Sequence, residues 1–344
     1  MSTLQIEVCT IDEVKVHPNP NADFLDIVVV KGWQCVTKKG EYSVGDKIVF
    51  FPPDTLLPES WTDKFGVTNY CGEKNNMRRV HRTRLRGEPS FGLVVRPPEE
   101  EDWDVETDVA EFYGAQKYEP PITCKVDNAA PDDPMCPKYT EIENMRNYPH
   151  VFDEGEEVIL TEKIHGENVR IAIIDGEKKA GSRRLMRQEP EDPSKSKFWY
   201  AWSIPEVKSM MEDLAKDHKQ VILYGEEFGP VQFLKYNTAN KMDFRVFDLF
   251  IDGNFVDYDV FIPICEIHGV KYVPIVARIP YNLKEVAKFS EGQTLVNDAQ
   301  HMREGIVARP VKERRHPKID RVVLKYVSDT YLLGKSAKKD TTDV

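Results

Sequence analysis

No two cysteines in this chain stand at Cys-x-x-Cys spacing, and no His/Cys array has the spacing of a zinc finger. Its six cysteines, Cys9, Cys35, Cys71, Cys124, Cys136 and Cys265, are scattered singly. Such usage favours reduced thiols in an intracellular compartment, and we expect no structural zinc. Long apolar runs are missing as well. Stretches such as Ile27-Val28-Val29-Val30 are far too short to cross a bilayer. The opening residues Met1-Ser2-Thr3-Leu4-Gln5 lack a basic region followed by an apolar one, so we expect a soluble, unsecreted protein with no membrane partner, in cytoplasm or nucleus. Positive charge is scarce: 47 Lys and Arg face 58 Asp and Glu, a formal net charge of −11. That balance excludes a protein that coats nucleic acid without specificity, although an average can hide a local basic face. Repeats and low-complexity tracts are absent except for the Lys- and Asp-rich residues 334–344, expected to fray.

At 344 residues the chain exceeds the size at which one core usually stops growing, so two domains are expected. The first hundred residues read as β-rich. Ile6 to Ile11, Leu25 to Val30, Lys47 to Phe51 and Phe91 to Val95 are short apolar or β-branched runs punctuated by Pro, Gly and Asp, with no strong helical period. The spacing suggests a small barrel. The run from His17-Pro18-Asn19 through Gly45-Asp46-Lys47-Ile48-Val49-Phe50-Phe51-Pro52-Pro53 resembles the tRNA-binding type of OB-fold. Between its later strands lies the densest basic cluster of this domain, Arg78, Arg79, Arg82, Arg84 and Arg86. A charge run usually faces water, yet a basic strip in an acidic protein also fits phosphate contact with nucleic acid. Trp33, Trp61 and Tyr70 are either stacking faces or core.

The chain turns acidic from Pro97 to Asp108 and then carries Pro120, Pro121, Pro131, Pro134 and Pro137 among few apolar residues. We read residues 1–118 as an OB-fold nucleic-acid-binding domain, 119–137 as a Pro-rich linker and 138–344 as a second domain in which strands and helices mix. Ser203-Ile204-Pro205-Glu206 has the spacing of a capping box before Val207, Met210, Met211 and Leu214, an apolar helix face whose methionines belong to a core. Further strands are expected at Val221 to Tyr224, Phe244 to Phe250, Ile306 to Ala308 and Arg321 to Val327, with a turn at Asp252-Gly253-Asn254.

Six stretches of this domain carry reactive or binding side chains. The first, Glu162-Lys163-Ile164-His165-Gly166-Glu167-Asn168, lies between apolar runs, and we read Lys163 as a nucleophile on a loop between two strands. The others are Ala180-Gly181-Ser182-Arg183-Arg184; Leu223-Tyr224-Gly225-Glu226-Glu227-Phe228-Gly229; Asp243-Phe244-Arg245-Val246-Phe247-Asp248; Glu304-Gly305-Ile306-Val307; and Val322-Val323-Leu324-Lys325-Tyr326-Val327. In this order they resemble the signature motifs of the covalent nucleotidyltransferases, which comprise ATP-dependent RNA and DNA ligases and mRNA capping enzymes.

The resemblance implies that Lys163 attacks the α-phosphate of a nucleoside triphosphate and forms a lysyl-nucleotide. An ordinary lysine, with a pKa near 10.4, is almost wholly protonated at pH 7, so the site must favour the neutral amine. By the same resemblance Glu162, Asn168, Arg183 (Arg184 as alternative), Glu226 at the ribose, Phe247 stacked on the purine, Glu304 and Lys325 contact the nucleotide. Glu304 is also the metal carboxylate, directly or through water, which suits Mg²⁺, with Mn²⁺ able to substitute. Glu227 is read as a neighbour of the site.

His165 stands where DNA ligases carry Asp. Together with Asn168 it resembles RNA ligases that seal nicks in duplex RNA, and makes His165 a catalytic candidate. Many relatives have two lysines one residue apart at the last motif, whereas this chain has Val323 and Val327 around Lys325. The missing charge is expected from Lys312, Arg314, Arg315 or a metal. Only nineteen residues follow Lys325, and the order of domains resembles the Naegleria-type RNA ligases.

The implied fold is α+β: an N-terminal OB-fold barrel and a ligase-type nucleotidyltransferase domain of antiparallel sheets flanked by helices. The implied function is ATP-dependent sealing of RNA 5′-phosphate and 3′-hydroxyl ends through lysyl-AMP and RNA-adenylate, by a monomer acting on nicked duplex. A DNA ligase, an RNA guanylyltransferase and a catalytically inactive RNA-binding homologue are the alternatives.

Overall fold

The computed structural model describes residues 4–74, 76–119, 128–230 and 233–334. Residues 120–127 of the expected linker and 335–344 of the expected frayed tail lie outside them. The chain divides into two units, and Met145–Pro149 groups with the first although its neighbours on both sides belong to the second.

The first unit runs through β1 (Glu7–Thr10), β2 (Glu13–Val16), β3 (Leu25–Val30), β4 (Trp33–Lys38), β5 (Lys47–Phe51), β6 (Thr55–Pro58), α1 (Glu59–Lys64), β7 (Gly72–Lys74), β8 (Met77–Arg79), β9 (Thr83–Leu85), β10 (Glu88–Ser90), β11 (Leu93–Val95) and β12 (Gln116–Lys117). These form small sheets in the orders β1-β5-β11, β2-β3-β4, β12-β6-β8-β7 and β10-β9, all antiparallel. Ile6, Val8, Val49, Phe51, Leu57, Val80, Val95, Val109 and Tyr113 make one core. The β-rich expectation holds, strand for strand at β3 and β5. The short helix α1 escaped it because six residues are too few to show a period. Of the aromatics weighed as stacking faces, Trp33 is fully buried with the Arg146 guanidinium 4.5 Å above its ring, and Trp61 packs 4.8 Å from Tyr113. Tyr70 remains 58% exposed.

The second unit contains β13 (Ala129–Ala130), β14 (Glu143–Asn144), β15 (Glu157–Lys163), β16 (Glu167–Ile174), β17 (Glu177–Ser182), β18 (Met186–Arg187), α2 (Pro205–Leu214), β19 (Gln220–Phe228), β20 (Asp243–Ile251) and β21 (Asn254–Phe255). It continues with α3 (Tyr258–His268), β22 (Ile275–Pro280), α4 (Leu283–Ser290), β23 (Gly305–Pro310), β24 (Arg315–His316), β25 (Asp320–Arg321), β26 (Leu324–Val327) and α5 (Asp329–Leu333). A seven-stranded antiparallel sheet has the order β13-β18-β17-β16-β19-β20-β21. A five-stranded sheet has the order β14-β26-β23-β15-β22, antiparallel except for the β14–β26 pair.

Alternation along β16 and β19 sorts side chains to two faces. Val169, Ile171, Ile173, Val221 and Leu223 join Val207, Met210 and Met211 of α2 and Phe261 and Cys265 of α3 in one core. Ala172, Ile174, Ile222 and Tyr224 lie in the cluster on the other face with Cys136, Tyr139 and Met186. The two methionines of α2 are therefore core, as expected, but the capping box is not formed. Ile204 precedes the helix without a side-chain cap, Pro205 takes its first turn, and Ser203 Oγ donates to the Tyr200 carbonyl at 2.7 Å.

The linker expected over 119–137 is shorter at its far end. Ala129–Ala130 pairs with β18, the Arg170 guanidinium donates to the Cys136 carbonyl, and Tyr224 Oη donates to the Pro137 carbonyl at 2.8 Å. Prolines without apolar neighbours read as a tether, yet the carbonyls here are taken up by side chains of the sheet.

Between the two sheets of this unit lies a buried charge network. Asp248 of β20 is fully buried and accepts from Tyr139 Oη at 2.8 Å, Arg321 Nη2 at 2.6 Å and Arg309 Nη2 at 3.3 Å. Glu313 supplies the second carboxylate, to Arg309 and, at 2.7 Å, to Arg321 Nε. Removing one partner of such a group strands the others in a medium that solvates charge poorly. Asp248→Ala should accordingly cost about 3–5 kcal/mol of stability in denaturant unfolding, whereas a loss near zero would show that the two arginines find other partners.

Candidate functional site

Lys163 is the last residue of β15 and Glu167 the first of β16, so Lys163 stands on a strand end and the loop expected to carry it is only residues 164–166. These three residues carry the chain from the five-stranded sheet into the seven-stranded one. At this crossing the Lys163 ammonium donates to Glu304 Oε1, with the lysine side chain 19% exposed and the carboxylate fully buried. Register explains the meeting. Lys163 pairs with Gly305, and Gly305 with Val327. A Cβ on Gly305 would sit 2.3 Å from the Tyr326 carbonyl oxygen, so only glycine lets β26 approach this closely.

The same register puts Thr161, Val307 and Lys325 in the neighbouring row, two residues along each strand, so Lys163 and Lys325 project from one face. Val327, one of the two positions where a second lysine would fall, is in the row of Lys163 and buried. Lys312, Arg314 and Arg315 do not replace it. They follow Pro310, which pairs with Val158 at the other end of β15, and five residues of strand span roughly 16 Å. Arg314 is bound there to Glu156 and to the Val151 carbonyl, and Arg315 to Asp320.

His165 Nδ1 lies 3.3 Å from Glu304 Oε2 and 3.2 Å from Tyr331 Oη, and its main-chain N–H donates to Tyr236 Oη at 2.8 Å. Burial, with the Glu304 charge adding to it, lifts the Tyr236 phenol well above its usual pKa, so this hydroxyl stays protonated. Asn297 holds the segment from behind: its Nδ2 donates to the Tyr236 carbonyl at 3.0 Å while its Oδ1 accepts from Arg245 Nη2 at 2.7 Å. Sequence reasoning missed both tyrosines. Tyr236 has no local signal, and Tyr331 announces itself only through Ser328, whose Oγ accepts the Tyr331 N–H at 3.1 Å to open α5.

Glu162, one residue from Lys163, points the other way. Thr294 Oγ1 donates to its Oε1, and the Leu295 N–H donates to its Oε2 at 2.7 Å. Burial raises the Glu162 pKa, against these hydrogen bonds, which lower it.

In the seven-stranded sheet Asn168, Glu226 and Arg245 stand in one cross-strand row. Asn168 Oδ1 and Arg245 Nη1 are both buried without a hydrogen-bond partner. Glu226 approaches the crossing so closely that a Cβ on Gly166 would lie 2.8 Å from its Cγ. Phe247 occupies the irregularity where the β19–β20 register shifts, its ring 4.9 Å from Tyr139. Arg183 follows Ser182, which pairs with Val169 near the start of β16, and is exposed 3.7 Å from Glu141, with Arg184 exposed beside it. The crossing thus brings together Lys163, His165, Glu304 and, through register, Lys325 and Glu226. It does not gather Glu162.

A divalent metal would find Glu304 beside Lys163 here. Among the described residues no group of three or more His, Cys, Asp and Glu is placed to hold a metal alone. Glu304 fits a cation that keeps its waters and takes its other ligands from a bound phosphate, which is the habit of Mg²⁺.

In the first unit Arg78 is paired to Glu59 and Glu73, and Arg79 to Asp54 with its guanidinium 3.8 Å above the Tyr118 ring. Arg82 is half-buried, while Arg84 and Arg86 are exposed. The last two flank the tip of the β9–β10 hairpin, where Arg86 and Gly87 have φ of +51° and +98°. His17 Nε2 meets the Leu85 carbonyl at 3.1 Å and Asn19 Nδ2 donates to the Arg86 carbonyl at 2.8 Å, so residues of the first OB-like motif clamp this tip.

Glu227 is 2% exposed, and neither carboxylate oxygen has a hydrogen-bond partner. Burial, then the facing Glu167, pushes its pKa up to about 9. A carboxyl raised in this way stabilises the fold fully below its unfolded value near 4.5, and that contribution is lost as pH rises through about 9. Stability should fall across this window by up to about 1.4 kcal/mol per pH unit. Glu227→Gln should flatten the profile in denaturant midpoints taken from pH 5 to pH 9, and an unchanged slope would rule Glu227 out as its source.

The sequence matches the RNA ligase family over residues 156–327, half of the chain, and an OB-fold domain over residues 8–97. Among solved structures it is similar to a mutant of Naegleria gruberi RNA ligase with ATP and Mn, at 23% identity and a TM-score of 0.75, over 96% of this chain and 98% of that one. It is also similar to Naegleria gruberi RNA ligase with PPi, at 22% identity and a TM-score of 0.73, over 97% of this chain and 99% of that one. A further mutant of that ligase, with AMP and Mn, matches at 22% identity and a TM-score of 0.75, over 96% and 98%. Identity at this level speaks for the fold. No curated protein matches the chain.

Proposed function

The chain belongs to the RNA ligase family, and we propose that it seals RNA 5′-phosphate and 3′-hydroxyl ends with ATP through a covalent lysyl-AMP. The observation that carries this reading is the pairing of Lys163 with the buried Glu304 at the crossing between two sheets, with Lys325 on the same face. A lysine bound to a carboxylate is held in place but protonated, so the pair must open before attack. The neutral amine then forms a bond to the α-phosphorus while pyrophosphate leaves. A 5′-phosphate oxygen of RNA displaces the lysine to give RNA-adenylate, and the 3′-hydroxyl displaces AMP to close the backbone.

Each side chain takes the role its position allows. Lys325 neutralises charge that develops on the phosphates. Glu226 accepts hydrogen bonds from ribose hydroxyls, held at the crossing by the absence of a side chain at Gly166. Phe247 supplies an aromatic face for the base and Arg183 an exposed cation at the rim. Asn168 offers its unpartnered Oδ1 to the nucleotide. Glu162 acts at one remove, by tying β15 to the 294–295 loop. Mg²⁺, or Mn²⁺ in its place, would be held by Glu304 and would polarise the phosphate under attack. All of these groups come from one unit of one chain, which suits a monomer.

On the RNA side Arg84 and Arg86, exposed at a clamped hairpin tip, are the phosphate-binding residues, and Tyr70 offers a stacking face. The preferred substrate is a nicked duplex, a reading that rests on His165 and Asn168 in the first motif. Arg78 and Arg79 already balance carboxylates of their own unit.

Incubation with labelled ATP should give an SDS-stable adduct that GTP does not give, and Lys163→Ala should abolish it; an adduct surviving in that variant would sink the assignment. His165→Ala should impair sealing of pre-adenylylated RNA more than formation of the adduct. Replacing both Arg84 and Arg86 by alanine should lower the salt slope of RNA binding by about 2, one unit for each phosphate that is no longer neutralised. The same double change at Arg78 and Arg79 should reduce stability and leave the slope, and the reverse pattern would exchange the roles of the two pairs.

A further inference from the structure

Side chains alternate along residues 233–236. Leu234 and Tyr236 are buried, while Phe233 and Lys235 point outward, Phe233 at 54% exposure. The inward pair fixes the segment. The Tyr236 ring packs 4.9 Å from Phe228 and 4.9 Å from His301, its hydroxyl accepts the His165 N–H at 2.8 Å, and its carbonyl accepts from Asn297 Nδ2 at 3.0 Å. The Lys235 ammonium turns back to the Pro230 carbonyl.

A lone apolar side chain at a surface is ordinary. The place of this one is not. The Phe233 ring stands edge-on to the ring of His165, with centroids 6.4 Å apart and planes at 77°. His165 is two residues from Lys163, at the crossing where the 5′-phosphate of an RNA end has to meet the lysyl-AMP. The base of a nucleotide lies one sugar away from its 5′-phosphate, so an end delivered to Lys163 brings its terminal base to the surroundings of the crossing. Every base has a π-face that an exposed aromatic ring can cover, whatever the sequence. Phenylalanine offers that face with no hydrogen-bonding group, so the contact selects no particular base.

We propose that Phe233 is the stacking platform for the base of the RNA nucleotide that carries the reacting 5′-phosphate. Its anchored neighbours hold the segment in place before RNA arrives, which lowers the ordering cost of the contact. The proposal rests on the ligase reading and adds to it a nucleobase subsite on the second unit. ATP reaches Lys163 without RNA, so the contact acts on the RNA end and not in adduct formation.

The test is a double-mutant cycle between protein and substrate, with the full chain and nicked duplex RNA whose 5′-phosphate is pre-adenylylated. Phe233→Ala and an abasic 5′-terminal nucleotide should each lower kcat/KM for sealing about tenfold. Together they should lower it no further than either alone. Phe233→Trp should seal at the wild-type rate, Phe233→Ala should keep the adduct with ATP, and an abasic nucleotide on the 3′-hydroxyl side should cost the wild type and Phe233→Ala equally. The proposal is overturned if Phe233→Ala seals as the wild type does, if the two losses multiply, if the coupling is to the 3′-hydroxyl side, or if adduct formation falls as far as sealing. A wild type that forms no adduct with ATP would instead remove the ligase reading, and the same cycle read as binding of the nicked RNA would still decide whether the ring covers the base.

Discussion

Three residues take the chain from the end of β15 in one sheet to the start of β16 in another. With so short a connection the Cα atoms of Lys163 and Glu167 can be no more than about 14 Å apart. The two sheets therefore have to converge there, and each presents what it carries at that edge: Lys163 and Lys325 from one, Asn168 and Glu226 from the other. Two glycines make the convergence possible. Gly166 leaves room for Glu226, and Gly305 leaves room for the backbone of Tyr326. A methyl group at either point would push apart the groups whose closeness constitutes the site.

The charges in this unit divide into two kinds. Asp248 and Glu313 with Arg309 and Arg321 form a buried network between the sheets, and its effect is to fix one sheet against the other. Arg309 also donates to the Phe247 carbonyl at 3.2 Å, so the network reaches the aromatic position of the site. Lys163 and Glu304 form the opposite kind, a pair at the edge of the unit's two sheets that the proposed lysyl-AMP chemistry requires to open. In the first unit Arg78 and Arg79 are bound to carboxylates, while Arg84 and Arg86 lie exposed at a hairpin that His17 and Asn19 clamp.

Much of this is legible in the residues. The bounds of β3 and β5 can be read from their apolar runs, and the order of the six motifs leads to Lys163, Glu226, Glu304 and Lys325, which the strand register then brings to converging edges. Other readings fail for identifiable reasons. Ser203 and Glu206 have the spacing of a capping box, but Pro205 and the preceding turn leave the serine nothing to cap. Lys312, Arg314 and Arg315 look close to the last motif, yet they sit at the far end of β15.

What the sequence determined by itself was the set of motifs: which side chains are candidates for the chemistry, in what order they occur, and the RNA ligase family they belong to. Motifs of that kind are local, and a few residues at short spacing suffice to carry them. What only the tertiary structure decided was company. Tyr236 and Tyr331 reach His165 from 71 and 166 residues away. Beyond Ser328, which opens the helix of Tyr331, nothing near them in the chain marks them, because a hydrogen bond is settled by distance in space, and that distance is set by how two sheets converge across a three-residue crossing.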